Sequence, residues 1–317
     1  MVAILSQAES ALTIRPLTGP DELNLFLNLT YSLDNELRED LAAGRRRPEW
    51  LWVALRHGRV VARAGWWGES GEDAPAVLDV LDIAGDPDRI EVGAALLTAA
   101  LLEVVPVGAS PPEYIRFVPS DWREVPRFRQ VVEDRMAIAA RTGARLLVER
   151  LRLEWRPGTP VAVPTGRLEF HPVEDDAQLV ELMTLAMGGT LDAHSRDDLT
   201  HLSAREGAVS HFQDELARYE SPREWWRIAA RPDSEAIGFV IPARNDYHAI
   251  IAYLGVVPAH RGLGYVNELL AEGTRVLAAQ NVPRIRASTD LDNIPMAQAF
   301  ARAGWINFER AISMTWS

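Results

Sequence analysis

The chain has 317 residues, 47% of them hydrophobic and 25% charged, a formal net charge of −12 and no cysteine. That length suits two ordinary domains, each able to bury a core without staples, and the missing cysteine excludes disulfides, cysteine-ligated zinc and thiol catalysis. The acidic balance argues against non-specific nucleic-acid binding, which relies on Lys and Arg at phosphates, and the longest apolar runs have strand length, too short to span a bilayer.

The opening MVAILSQAESALTIRPL lacks the basic stretch, long apolar core and cleavage site of a secretion signal, so a cytoplasmic protein without membrane attachment is expected. LTIRPL (12–17) reads as a strand, and AAGRRRPEW (42–50), with three consecutive arginines, as an exposed, solvated loop or a phosphate-binding patch. LWVALRHGRVVARAGWW (51–67) is strand, polar turn, strand, its tryptophans placed in a core or an interface. LDVLDIAGDPDRIEVGAALLTAAL (78–101) runs from a strand through a turn into a helix. RPGTPVAVPTG (156–166) carries three prolines and two glycines, a linker composition that puts a boundary near residue 157.

Past the linker the plan repeats. LEFHPV (168–173) echoes LTIRPL, and WRIAARPDSEAIGFVIP (226–242) echoes residues 51–67. IAYLGVVPAHRGLGYVNELLAEGT (251–274) lies over residues 78–101 without gaps, and RAGWINFERAISMTW (302–316) over RTGARLLVERLRLEW (141–155). Each half is expected to order its elements as strand, one or two helices, a three-strand meander, helix, strand, helix and final strands. GYVNELLAEGTRVLAAQN sets Val266, Leu269, Leu270, Val276 and Leu277 at helical spacing. PRIRAS is a short strand, and NIPMAQAFARAG a helix with Pro295 in its first turn and Gly304 at its end.

VVPAHRGLGYVNELL (256–270) places Arg261, Gly262 and Gly264 between a strand and a helix. The free N–H groups of such a turn and the helix dipole suit a phosphate, glycine lets an anion approach without a Cβ in the way, and Arg261 adds a charge-assisted contact. A loop that only caps the helix fits these residues as well. No Gly-Lys-Ser/Thr ending makes this a Walker loop, and the glycines do not follow the first strand of a βαβ unit, so the dinucleotide fingerprint fails too.

The loop, the meander before it and the helix opening at Asn293 together resemble the GNAT acetyltransferase family. Its motif (Arg or Gln, two residues, Gly, one residue, Gly or Ala) is met by Arg261, Gly262, Leu263, Gly264 and Tyr265, with Val266 departing at the last place. TDLDNIPMAQAFARAGW (289–305) resembles the next family segment, an Asn opening a helix that ends at Gly304-Trp305. The resemblance implies an α/β fold of the α+β mixed-sheet type: two tandem GNAT-like domains, 1–157 and 158–317, each a central, mostly antiparallel mixed sheet flanked by helices. It also implies an N-acetyltransferase that moves acetyl from acetyl-CoA directly to an amine of a small-molecule substrate. Pyrophosphate would rest on the amides of residues 261–266, pantetheine along Leu254–Val257 with the thioester carbonyl near the Val256 amide, and Asn293 would hold the pantetheine arm. The alternatives are a non-catalytic acyl-CoA-binding regulatory module, or transfer of another acyl group or to another acceptor.

The proton-moving groups are less legible. The family often places a Tyr at the eighth residue counted from the Asn, as acid for the leaving thiolate; here that residue is Phe300. His248 shares strand parity with Ile250, Ala252 and Leu254, which makes it a candidate base or a solvent-exposed strand-end histidine. Tyr253 and Tyr265 flank the thioester and pyrophosphate places, as candidate site or packing residues. Asp290 and Asp292 read as a helix-start cluster, and His194, His201 and His211 follow no metal-ligand spacing, so no metal is expected. In the first half Arg261, Gly262 and Gly264 fall on Asp88, Arg89 and Glu91, and Asn293 on Val132. Carboxylates facing pyrophosphate imply that this half binds no acyl-CoA. The doubling lets one chain supply the pairing that dimers make, leaving monomer or homodimer open.

Overall fold

Apart from a third helix after the first strand of the second half, the expected order of elements recurs in both halves of the computed structural model, which describes residues 12–232 and 236–316. Residues 1–11, on which much of the leader reading rests, lie outside the described residues. Two compact units divide the chain: residues up to 148 together with those from 311 onward, and residues 149–310.

The first unit runs β1 (Thr13–Pro16), α1 (Leu23–Phe26), α2 (Leu37–Ala42), β2 (Leu51–Arg56), β3 (Arg59–Trp67), β4 (Val77–Ile83), α3 (Arg89–Val104), β5 (Tyr114–Pro119) and α4 (Pro126–Arg141) into β6 (Arg145–Trp155). Its strands lie in the order β1-β2-β3-β4-β5, antiparallel except for β4 with β5. His57 and Gly58 close the β2–β3 hairpin at φ +53° and +75°, the positive pair that a two-residue hairpin turn requires. Trp66 is fully buried in the core with Leu78, Leu96, Leu97 and Ile138, which settles the tryptophan-rich strand as core.

The three arginines of residues 45–47 do not form an exposed, solvated loop. Arg46 is 2% exposed and binds Asp79 through both terminal nitrogens at 2.8 and 2.7 Å, with Asp40 also on its Nε. Arg45 pairs with Asp40, and Arg47 stacks on Trp50. Removing either partner of so buried a pair strands a charge. A carboxylate 33 residues away, Asp79, gives no local signal in the sequence.

The second unit takes over within β6 and continues through β7 (Glu169–Pro172), α5 (Asp176–Met187), α6 (Ala193–Asp198), α7 (Ala204–Asp214), β8 (Arg227–Ala230), β9 (Ala236–Arg244), β10 (Ala249–Val256), α8 (Tyr265–Ala278), β11 (Ile285–Asp290), α9 (Ile294–Arg302) and β12 (Ile306–Thr315). Three helices follow its first strand, where one or two were expected. Side chains fix their starts: Asp175 caps α5, Asp192 caps α6, and Ser203 with Glu206 forms a capping box on α7. The strand order is β6-β11-β10-β9-β8-β7, with β10 and β11 parallel and the other pairs antiparallel. Val240, Ile251, Leu269, Leu270 and Phe300 form one core of this unit, and Met183, Trp226 and Phe239 belong to another. Both units are mixed, mostly antiparallel sheets flanked by helices, as the α+β reading expects.

The boundary expected near residue 157 and the compact units do not coincide. The changeovers fall inside β6 and β12, long strands with no turn residue to mark them. The linker 156–166 belongs wholly to the second unit.

Candidate active site

Strands β10 and β11 pair in parallel at Ala249 with Ile285 and Ile250 with Arg286, and no further along among the described residues. Beyond that point they diverge. The register of β10 against β9 also shifts between Ile251 and Tyr253, a bulge at Ala252 that bends the strand. A cavity of about 430 Å³ opens here, lined by Ile251–Val256 of β10, Ser288 and Thr289 of β11, and residues of the loops beyond both strands.

At one end of this cleft the strand gives way to the loop before α8. Gly262 and Gly264 adopt φ +79° and +81°, and Gly264 is the N-terminal cap of α8. Side-chain crowding does not dictate either glycine: a Cβ at Gly262 would meet nothing, and one at Gly264 only Asn267 Nδ2 at 3.6 Å. The left-handed conformation does. Its result is five successive amides, Gly262 to Val266, whose N–H groups no acceptor takes among the described residues. Such a run at the positive end of a helix is the backbone's way of holding an anion.

Arg261 sits otherwise than its motif position suggested. Its guanidinium donates to the carbonyls of Val256 (3.0 Å), Gly188 (2.6 Å), Gly189 (3.0 Å) and Ala186. The arginine therefore caps the end of α5 and fixes the loop.

The segment 188–192 crosses from that anchor to the far side of the cleft, where the Ala193 N–H donates to Asp290 Oδ2 at 2.6 Å. Asp290 is 2% exposed, and Arg150 Nε lies 3.2 Å from its other oxygen. Burial raises its pKa, helped by nearby Asp192. The expected helix-start role of Asp290 is thus replaced by a strand-end anchor; the helix cap is Asn293, whose side chain accepts from the Met296 N–H at 3.3 Å. Asp192 is, among the described residues, the one carboxylate lining the cavity. It accepts from Ser195 N and Oγ and lies 3.6 Å from Arg150. Burial opposes its charge, but Arg150 and the Ser195 amide hold its pKa below the ordinary value. The Arg150–Asp192–Asp290 cluster was invisible to sequence reasoning, since its members come from three distant elements.

Tyr253 lines the cavity between His211, with ring centroids 4.7 Å apart, and Phe239 at 5.0 Å. Burial pushes its phenol well above the ordinary range, so it stays protonated at neutral pH. Leu254, Val256, Arg261, Gly262, Gly264, Tyr265, Val266, Asn293 and Phe300 also line the cavity. Phe300 is buried edge-on to Trp305. Leu263 is exposed on the loop and Val257 is buried beneath it, both outside the lining. His248 is not brought to the cavity. It sits half-buried just before β10, where burial and then Arg286, Arg284 and Arg152 lower its pKa.

The first unit differs where this cleft would be. Its strands β4 and β5 also meet at one pair, Leu78 with Tyr114. Past it the buried Arg116 of β5 reaches Asp82 of β4 at 2.9 Å, and Arg63 and Arg135 close on the same carboxylate. The loop before α3 is shorter, residues 84–88 against 257–264, and contains no positive-φ glycine. Its carboxylates are not bare as repulsion required: Asp88 pairs with Arg56, Asp86 with Arg59, and Glu91 with Arg141. By element, Asn293 corresponds to Val125, the uncapped start of α4, rather than to Val132.

Two diverging parallel strands with an amide-lined helix start between them define the centre of this mixed α+β fold. Residues 191–305 match the family model of the acetyltransferase (GNAT) family. In three dimensions the chain is similar to a GCN5-related N-acetyltransferase from Sphaerobacter thermophilus (TM-score 0.61, 16% identity, covering 96% of this chain and 95% of that one). It is also similar to a tandem GNAT protein from the clavulanic acid biosynthesis pathway (TM-score 0.50, 18% identity, 96% and 98% covered). A third similarity is to a GCN5-related glucosamine N-acetyltransferase region of a fungal multi-domain β-N-acetylglucosaminidase (TM-score 0.54, 13% identity, 97% of this chain and 38% of that one). No curated protein sequence matches the chain significantly. Among the described residues no helix is long and apolar enough to cross a membrane, and no three His, Cys, Asp or Glu side chains form a metal-binding group.

Proposed function

We propose that the second unit is an acyl-CoA-dependent N-acetyltransferase acting on a small-molecule amine, and that the first unit binds no acyl-CoA. The observation that carries this reading is the set of five unaccepted amides, Gly262–Val266, at the mouth of the β10–β11 cleft. A pyrophosphate supplies the acceptors these amides lack. Leu254 and Val256 on the free edge of β10 and Asn293 at the start of α9 then border the pantetheine arm.

Bound acetyl-CoA supplies a thioester whose carbonyl carbon the amine nitrogen attacks, releasing CoA thiolate. The chain contributes positioning first. Asp192 draws the acceptor's ammonium to the cleft wall, and loss of a proton to solvent frees the nitrogen lone pair. Tyr253 takes the place that Phe300 cannot fill: its neutral hydroxyl donates a hydrogen bond to the departing sulfur, which takes its proton from water. An acyl-CoA-binding module without turnover is favoured by one observation, the missing hydroxyl at Phe300. Release of free thiol from acetyl-CoA over a panel of amines separates the two readings. Turnover that falls about a hundredfold in Tyr253→Phe supports the transferase, and binding without turnover on every amine supports the module.

A further inference from the structure

The sheet of the second unit carries a charged face that extends beyond the reacting centre. Side chains alternate along a strand, and the register of β11 against β6 sets Arg286 opposite Glu154, Ser288 opposite Arg152 and Asp290 opposite Arg150. Their neighbours of the other parity, Ile285, Ala287, Leu153 and Trp155, belong to the apolar core. The polar side chains therefore share the opposite face, in a row that starts in the cleft. Arg150 and Ser288 line the cavity, and Ser288 is exposed.

The charge balance reverses along that row. At the cleft end two carboxylates, Asp192 and Asp290, stand around one arginine, Arg150, at 3.6 and 3.2 Å. Further out Glu154, 1% exposed, is shared by Arg286 at 2.7 Å, Arg284 at 3.7 Å and Arg156, while Arg152 pairs with Glu309. Four guanidinium groups thus divide two carboxylates. His248 beside them adds no charge, because burial and then Arg286, Arg284 and Arg152 lower its pKa. The Phe308 ring orients two of the planes, with Arg286 at 3.7 Å and Arg152 at 5.3 Å from its centroid. Arg284 keeps 42% of its side chain exposed. An excess of positive charge partly withdrawn from water costs free energy until an anion completes it.

We infer that this arginine row is an anion subsite for the acceptor, so that the substrate is an amine carrying an oxyanion, carboxylate or phosphate, at its far end. The inference rests on the transferase reading above and names the substrate class which that reading leaves open. The ammonium lies at Asp192, where carboxylates outnumber arginine, and the oxyanion lies at Arg286 and Arg152, where arginines outnumber carboxylates. Two strand positions, Ser288 to Arg286, span about 7 Å, roughly the length of a five-carbon chain. Planar forks stacked on a ring suit the paired oxygens of either oxyanion. A second ammonium at the same place would be repelled, so the row also selects against diamines.

The test uses three amines of equal chain length: ω-aminopentanol, ω-aminopentanoate and ω-aminopentyl phosphate. Each is titrated calorimetrically into the full chain and offered as acceptor with acetyl-CoA. The wild type should bind one of the two anionic amines about tenfold more tightly than the alcohol, and acetylate it at a lower KM. Which of the two it prefers separates carboxylate from phosphate. Arg286→Gln should erase the preference and leave turnover of the alcohol unchanged, and Arg286→Lys should keep part of it. Because Arg286 also faces the buried Glu154, Arg284→Gln at the exposed edge serves as a second variant and should reduce the preference in a folded chain. Equal affinity for all three amines, binding of none, a preference that survives both variants, or a loss common to all three amines overturns the subsite. Acetylation of the alcohol in any of those cases keeps the transferase reading. Preferred binding of an anionic amine with no thiol released on any amine keeps the subsite and removes the transferase.

Discussion

Arg261 donates a 2.6 Å hydrogen bond to the carbonyl of Gly188, and three further carbonyls share the same guanidinium. The motif's arginine therefore ties the end of α5 to the loop that precedes α8. Arg261→Ala should lower unfolding free energy by about 2 kcal/mol, because it orphans helix-end carbonyls. Urea denaturation measures this. A variant of wild-type stability would show that the carbonyl contacts contribute nothing net.

Gly264 needs its left-handed conformation more than it needs space. Gly264→Ala should cost about 1 kcal/mol of stability from the strained φ. Its effect on acetyl-CoA binding should be larger, about tenfold or more, since the amide run turns away from the anion. Equal losses in folding and binding would contradict the view that these amides are the binding device.

Tyr253 and Phe300 form a testable pair. Tyr253→Phe should lower kcat about a hundredfold with little change in the KM for acetyl-CoA. Phe300→Tyr, placed in that background, should recover part of the loss, since both side chains line one cavity. Because burial raises the phenol's pKa, its neutral form persists past the ordinary value of about 10, and wild-type kcat should show no falling limb below that pH. The same shift favours the folded state below that pH and withdraws the advantage above it. A limb near neutrality that survives in Tyr253→Phe would assign the titration elsewhere.

Glu22 offers a check on the first unit alone. Both carboxylate oxygens bind Arg15 at 2.8 Å and one accepts the Thr18 N–H, which brings its pKa down to about 2. With the folded value below the ordinary 4.5, the contribution of this pair to stability is present above about pH 4.5 and disappears as pH falls toward 2. Carbon-detected NMR titration should return that low value in the wild type and an ordinary one in Arg15→Ala. An ordinary value in the wild type would mean that the pair does not hold in solution.

What the sequence disclosed and what it hid divide along contact range. The strand–glycine loop–helix at 249–278 and the Asn293 cap were legible because spacing and local conformational demands define them. The Arg46–Asp79 and Arg150–Asp290 pairs were not, since no local pattern announces a partner in a distant element. His248 shows a subtler failure. Parity places it on a face, but it precedes the divergence of β10 from β11, and only the sheet register reveals where the cleft opens. The gapless repeat also hides the shorter loop of the first unit, residues 84–88 against 257–264.

The central claim is that this chain holds one acyl-CoA, on the amides of Gly262–Val266. Calorimetric titration of acetyl-CoA into the wild type and into Gly264→Glu tests it most directly. One site per chain in the wild type, lost in a folded variant, is the result this account predicts. Two sites in the wild type would return the first unit to service as a cofactor domain, and one site that survives in the variant, or none at all, would contradict the claim.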